Sequence, residues 1–170
     1  KNTLWYLIHV LCNTCVVYLT FNDFKICIFN PDSCFDEELF IPDALAVTLG
    51  LHLYHIIVSF NTLTVIDWLH HLISNVLIVF LGINYVAIPL WNMGAFFMCG
   101  LPGGIDYLLL FLTKLKIINR ETEKSYNVFL NNWIRAPGIS YCASILNIGY
   151  MQNKINTSGI IIYLSVFAIM

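Results

Sequence analysis

Asp67, His70 and His71 form an Asp-x-x-His-His cluster at the head of a long apolar run. Ionisable side chains are costly at membrane depth, and those that persist there mark sites of proton transfer, ligand binding or ion pairing. An imidazole in such a place can take a proton from a hydroxyl or amine nucleophile and pass it to a leaving group. Arg135 stays cationic at any accessible pH and needs a carboxylate in apolar surroundings; Asp67 or Asp106 is the expected partner. The run Pro102-Gly103-Gly104 would free backbone groups at depth, tolerable only where they line a cavity or are buried in protein. Such N–H groups could steady a developing oxyanion.

The setting for these residues is a bilayer. Hydrophobic residues make up 59% of the 170-residue chain and charged residues 11%, against about 25% charged in a soluble domain. Mean hydropathy is +0.77. A net charge of −2 with no basic cluster on one face excludes a nucleic-acid binder. No glycine-rich phosphate loop of the dinucleotide or triphosphate type occurs.

Apolar runs predict an all-α, polytopic transmembrane bundle of about six spans, forming one domain over 1–170. Residues 4–21 form the first span, 22–42 an acidic loop, 44–60 the second span and 61–66 a tight link. Asp67 is expected to cap a third helix running to about residue 81. The fourth span, 86–115, is discontinuous at Pro102-Gly103-Gly104, and 114–125 is a polar loop. The fifth, 126–151, bends at Ala136-Pro137-Gly138, and a sixth opens at Gly159. Lys1 opens the chain and the apolar tail 160–170 falls short of the roughly 20 residues that cross a membrane. The sequence is therefore expected to be an internal piece of a longer protein. Lys114, Lys116, Arg120 and Lys124 cluster in one loop, which the positive-inside rule assigns to the cytoplasm.

That orientation puts the polar residues in one layer. At 1.5 Å of rise per residue, His55 lies roughly 8 Å from the cytoplasmic end of its span and His70 and His71 about 5 Å. Asp106 lies about 12 Å in and Arg135 about 13 Å. Four helices thus place ionisable groups at a common depth, with His55, Arg135, Asn131, Gly103 and Gly104 expected to bind substrate beside catalytic His70, His71, Asp67 and Asp106. His9, alone on the first helix, reads as a packing or interfacial residue.

Histidine has a competing use. His52-x-x-His55 with His70, His71 and an aspartate would suffice for a mononuclear metal site. Membrane di-iron enzymes need about eight histidines in three boxes, however, and this chain has five. The expectation is no metal and no bound cofactor. Of six cysteines, Cys12 and Cys15 lie within the first span as apolar packing residues. Cys27 and Cys34 flank the acidic loop and would pair if it faced an oxidising lumen.

Asp67-x-x-His70-His71 at the start of a span resembles the signature of the TLC (TRAM–LAG1–CLN8) superfamily, which includes the ceramide synthases. The segment 104–114, with Asp106 and Lys114, is similar to the aspartate-bearing segment of that family, and Asn131-Asn132-Trp133-Ile134-Arg135 to a later Asn and Arg pair. The likeness covers residues 44–151. It departs at Pro102-Gly103-Gly104, where ceramide synthases carry His-Asp, and at Leu110, where they carry a glutamate; the lysine is displaced by one. The resemblance implies a lipid-handling protein of the endoplasmic reticulum or a related endomembrane. Its activity would be acyl transfer to a sphingoid-type lipid, with membrane lipid as partner, acyl-CoA as co-substrate and a homo-oligomer as the assembly. A diverged member would instead bind or transport lipid, or sense membrane composition, without turnover. Asp67-x-x-His70-His71 and Trp91-Asn92-Met93-Gly94 also resemble parts of the fatty-acid elongase motifs. A third alternative is a subunit of a larger membrane complex, whose polar layer only sets helix register.

Overall fold

The computed structural model describes residues 3–73, 84 and 87–161. Among these, the chain is all-helical, with no strand. Helix α1 (Thr3–Phe29) is followed by two 3₁₀ turns, Pro31–Phe35 and Glu37–Leu39. Helix α2 (Asp43–Ser59), a third 3₁₀ turn (Phe60–Thr62) and α3 (Val65–Ile73) come next. Helix α4 (Pro89–Lys114) contains a π turn at Phe96–Gly100. Helices α5 (Arg120–Leu130) and α6 (Ala136–Met151) join without a break through a second π turn, Asn131–Arg135.

Among the described residues, three helices are long and apolar enough to cross a membrane: Thr3–Phe29, Asp43–Thr62 and Pro89–Lys114. The continuous helix 120–151 is not among them. It carries Asn131, Asn132, Arg135, Ser140, Ser144 and Asn147, which dilute its apolar content. The end of the third expected span and the turn at 82–83 lie outside the described residues, as does most of the sixth span.

Helix α1 shows which solvent surrounds the bundle. Its buried residues are His9, Asn13, Val16, Thr20, Asp23 and Cys27, spaced four, three, four, three and four apart, the stripe of a helix packed along its length against neighbours. Four of the six are polar. The opposite face exposes Leu4, Leu11, Tyr18, Phe21 and Phe29, with Asn22 and Lys25 among them only toward the C-terminal end. Polar inside and apolar outside reverses the rule for a helix in water. It suits a helix with hydrocarbon on one side and polar partners on the other.

The stripe is central to the packing. Helix α1 lies along α4 and against α2, and the first part of α4 touches α6. Leu45, Leu90, Met93, Cys142 and Leu146 are fully buried between these elements. The first helix outruns the expected span by eight residues because Asp23 is interior. Asn92 Nδ2 donates to Asp23 Oδ2 (2.7 Å) and to the carbonyl of Ile41 (2.8 Å), tying α1, the segment ahead of α2 and α4 together. On the same end, Lys154 Nζ meets Asp32 at 2.6 Å, joining the segment after α6 to the 31–35 turn. Cys27 and Cys34 are both buried, as free thiols.

The break expected at Pro102-Gly103-Gly104 is absent, and α4 runs through it. Proline lacks an N–H and its ring crowds the carbonyl four residues earlier. The π turn at Phe96–Gly100 widens the helix immediately before Pro102 and lets it continue. Pro137 is preceded by the second π turn in the same way. Likewise the polar loop is shorter than its charges suggest: α5 opens at Arg120, where the Asn119 side chain accepts from the Thr122 N–H (2.7 Å).

Glycines set several close approaches, among them Gly149, where a Cβ would lie 2.3 Å from the Phe35 ring. A Cβ on Gly138 would lie 2.2 Å from the ring of Phe97, so α6 touches the π turn of α4 only because residue 138 has no side chain. A Cβ on Gly103 would lie 3.0 Å from Asn13 Nδ2, and one on Gly104 3.5 Å from Asn13 Cβ, so this pair seats α1 against α4.

Candidate functional site

Helices α1, α2, α3 and α4 and the second π turn enclose a cavity of about 870 Å³. Its apolar wall includes Val16, Leu45, Leu51, Val58 and Met98; its polar wall includes all five histidines, with Asp67, Asp106, Tyr107 and Arg135. Of the residues singled out in the sequence, His55, His70, His71, Asp67, Asp106, Arg135 and Gly103 line this one space. Gly104 and Asn131 are not in its wall.

The histidines touch one another in series. The His9 ring stacks on Tyr107 at 3.8 Å between centroids and lies 4.5 Å from His55. His55 stacks on Trp5 at 3.8 Å and meets His71 at 5.6 Å. His71 lies 5.2 Å from His52 and 5.4 Å from His70; His52 and His70 are 5.2 Å apart. One unbroken array therefore runs from α1 through α2 to α3. His9, His55 and His71 are buried, whereas His70 is exposed.

Hydrogen bonds set part of the proton arrangement. His9 Nδ1 lies 2.7 Å from the carbonyl of Trp5. A carbonyl only accepts, so Nδ1 carries the proton, and in the neutral ring Nε2 is then an acceptor. His52 Nδ1 and His71 Nδ1 are 2.9 Å apart, so one donates to the other when no cation stands between them.

Asp67 does not cap α3 as its first residue. Thr64 holds that position: its N–H and Oγ1 both donate to Asp67 Oδ2 (3.0 and 2.8 Å), and its Oγ1 accepts from the Asp67 N–H (3.2 Å). This is a capping box with aspartate in the third helical position. It locks the start of the short helix that presents His70 and His71.

Arg135 likewise differs from expectation. Among the described residues it pairs with no carboxylate. Its Nη1 donates to Asn131 Oδ1, Asn131 Nδ2 to Asn127 Oδ1 (2.9 Å), and Asn127 Nδ2 to Asp106 Oδ1. Two amides thus stand between the guanidinium and the carboxylate, with Asn131 as the bridge. Arg135 Nε donates to the carbonyl of Met98 (3.1 Å). Residue 102 would supply the α-helical donor to that carbonyl, but it is proline. The Pro102 region therefore offers the site a carbonyl acceptor, taken by Arg135, in place of oxyanion-binding N–H groups.

Sequence reasoning gave His9 only a packing or interfacial role, gave His52 only a possible part in a metal site, and missed Trp5, Tyr107 and Asn127. The signal for His9 was available: six residues from the start of α1 it lies about 9 Å deep, in the same layer as His55. Ring stacking with Trp5 and Tyr107 had no counterpart in spacing. No family model, curated protein or solved structure matches this chain.

Proposed function

We propose that this chain is a multi-pass membrane protein of TLC type that admits an amphiphilic lipid to the histidine-lined cavity and acts on it by acid–base chemistry. The observation that carries this reading is the unbroken array of five imidazoles along the wall of a cavity among membrane-length helices. At about 870 Å³ the space lies in the upper part of the range for small-molecule sites. Apolar side chains suit an acyl chain, and Asp106, Arg135 and the histidines suit a head group. The remaining helices, including 120–151 and the segment opening at 157, complete a bundle of about six spans in an endomembrane such as the endoplasmic reticulum.

The reaction that fits is acyl transfer. An imidazole of the array takes the proton from an amine or hydroxyl of a sphingoid-type lipid, and the freed lone pair attacks the acyl carbonyl of acyl-CoA. The C–S bond breaks, and the CoA thiolate receives the proton as it leaves. Tyr107 and Trp5 hold rings of the array in place by stacking; Asp106 and Arg135 present opposite charges to the head group.

The departures at Pro102-Gly103-Gly104 and Leu110 favour a second reading, in which the same cavity binds lipid without turnover. Protein purified into nanodiscs, analysed for co-purifying lipid and then supplied with acyl-CoA and a long-chain base, separates the two. Acyl transfer that falls about 10²–10⁴-fold in a His70→Ala/His71→Ala variant supports the enzyme. Retained lipid without conversion supports the binding protein. Lipid content equal to that of empty discs overturns both.

A further inference from the structure

Three of the five histidines converge more closely than a proton relay requires. One potential ligand nitrogen from each of His52, His70 and His71 lies within 4.8 Å of the others. A tetrahedral Zn²⁺ with bonds of about 2.0–2.1 Å holds its nitrogens about 3.3 Å apart. His52 Nδ1 and His71 Nδ1, at 2.9 Å, are already at that scale. His70 is exposed, and its ring lies 5.2 Å from that of His52 and 5.4 Å from that of His71, so a rotation of its side chain closes the remaining distance. Adjacent positions on a helix diverge by about 100°, and His70 and His71 meet at one point only because His52 reaches between them from α2.

We propose that His52, His70 and His71 hold a borderline divalent cation, Zn²⁺ foremost. Imidazole is a preferred ligand for this class, and three protein ligands with the fourth position open is the pattern of catalytic zinc. All three residues line the cavity, so the fourth position opens to whatever occupies it. Asp67 lies outside this cluster, and its Oδ2 accepts from the N–H and hydroxyl of Thr64. The sequence offered His52 and His55 together with His70, His71 and an aspartate as a metal set and then favoured no metal; the geometry takes His52, His70 and His71 and leaves His55 outside the cluster. Metal binding reassigns roles within the cavity. His70 and His71 become ligands, and His55, 5.6 Å from His71 between ring centroids, becomes the base.

The inference stands whether or not the cavity takes lipid, and its test reads metal alone. The full chain, purified in detergent and stripped with a chelator, is titrated with Zn²⁺ and with Co²⁺. The expected result is one equivalent per chain and the visible bands of four-coordinate Co²⁺ without thiolate charge transfer. Loss of a supporting partner around a metal ligand costs about 10–100-fold in affinity, so removing a ligand costs more. His52→Ala, His70→Ala and His71→Ala should each weaken Zn²⁺ binding more than about 100-fold, while His9→Gln retains it. Should the alanine variants not fold, His71→Cys decides: retained metal with a new thiolate–Co²⁺ band supports the site. Substoichiometric metal, binding unchanged by these substitutions, or a thiolate band in the unaltered chain would overturn it. Retained lipid in a chain that binds no metal would reject this inference and leave the lipid reading intact.

Discussion

Asn131→Ala should cost this protein about 2 kcal/mol, although the residue lies outside the cavity wall. The side chain makes two bonds at once: its Oδ1 accepts from Arg135 Nη1 and its Nδ2 donates to Asn127 Oδ1 at 2.9 Å. A neutral side-chain bond between residues four apart on one helix is worth about 0.2–0.5 kcal/mol. A bond to a charged group is worth about 1.5–3 kcal/mol. Arg135 is partly buried and keeps its bond to the Met98 carbonyl, so the lower end applies and the sum is about 2 kcal/mol. Equilibrium unfolding in mixed micelles measures the loss. A double-mutant cycle with Arg135→Met should give a coupling of about 1.5 kcal/mol, because without the guanidinium the Asn131 Oδ1 has no charged donor to lose. Asn131→Asp provides a further check. It still accepts from Arg135 but cannot donate to Asn127, so the guanidinium stays anchored while Asp106 loses its fixed orientation. A single-site loss below about 0.5 kcal/mol, or double-variant values that simply add within that margin, would refute the bridge.

Gly138→Ala should destabilise the bundle by about 1–3 kcal/mol, since the new methyl would overlap the Phe97 ring at 2.2 Å and force α6 from α4; the same unfolding assay reads it, and a loss near zero would mean the ring turns aside freely. Thr64→Ala removes the first residue of the capping box and should cost about 1 kcal/mol locally. Hydrogen exchange of the 65–73 amides should then speed up about fivefold, with unchanged exchange in α1 as the internal control.

How far the site could be read from the chain depended on the kind of information each residue carried. Depth within an apolar run is a one-dimensional quantity, and it placed His55, His70, His71, Asp106 and Arg135 in one layer. Partner choice is not one-dimensional. Arg135 reaches Asp106 through two asparagines because Asn131 and Asn127 lie one and two helical turns before it on the same face, with Asn127 turned to Asp106 on α4. Asp23 read as part of an acidic loop because charge normally follows water. In the fold it is 3% exposed, since Asn92 and the α1 stripe give it a polar interior.

Composition and hydropathy by themselves determined that the chain is helical and suited to a bilayer, because burying backbone polar groups in hydrocarbon leaves helices as the solution for apolar runs of this length. They also determined which residue types would be costly there. Only the tertiary structure decided that five scattered histidines form one array, that Thr64 and not Asp67 begins α3, and that Pro102 gives Arg135 a carbonyl without breaking α4. Those outcomes depend on which faces of separate helices meet. Such meetings are set by small residues at close approaches and by π turns that rotate everything beyond them, neither of which periodicity along a single helix records.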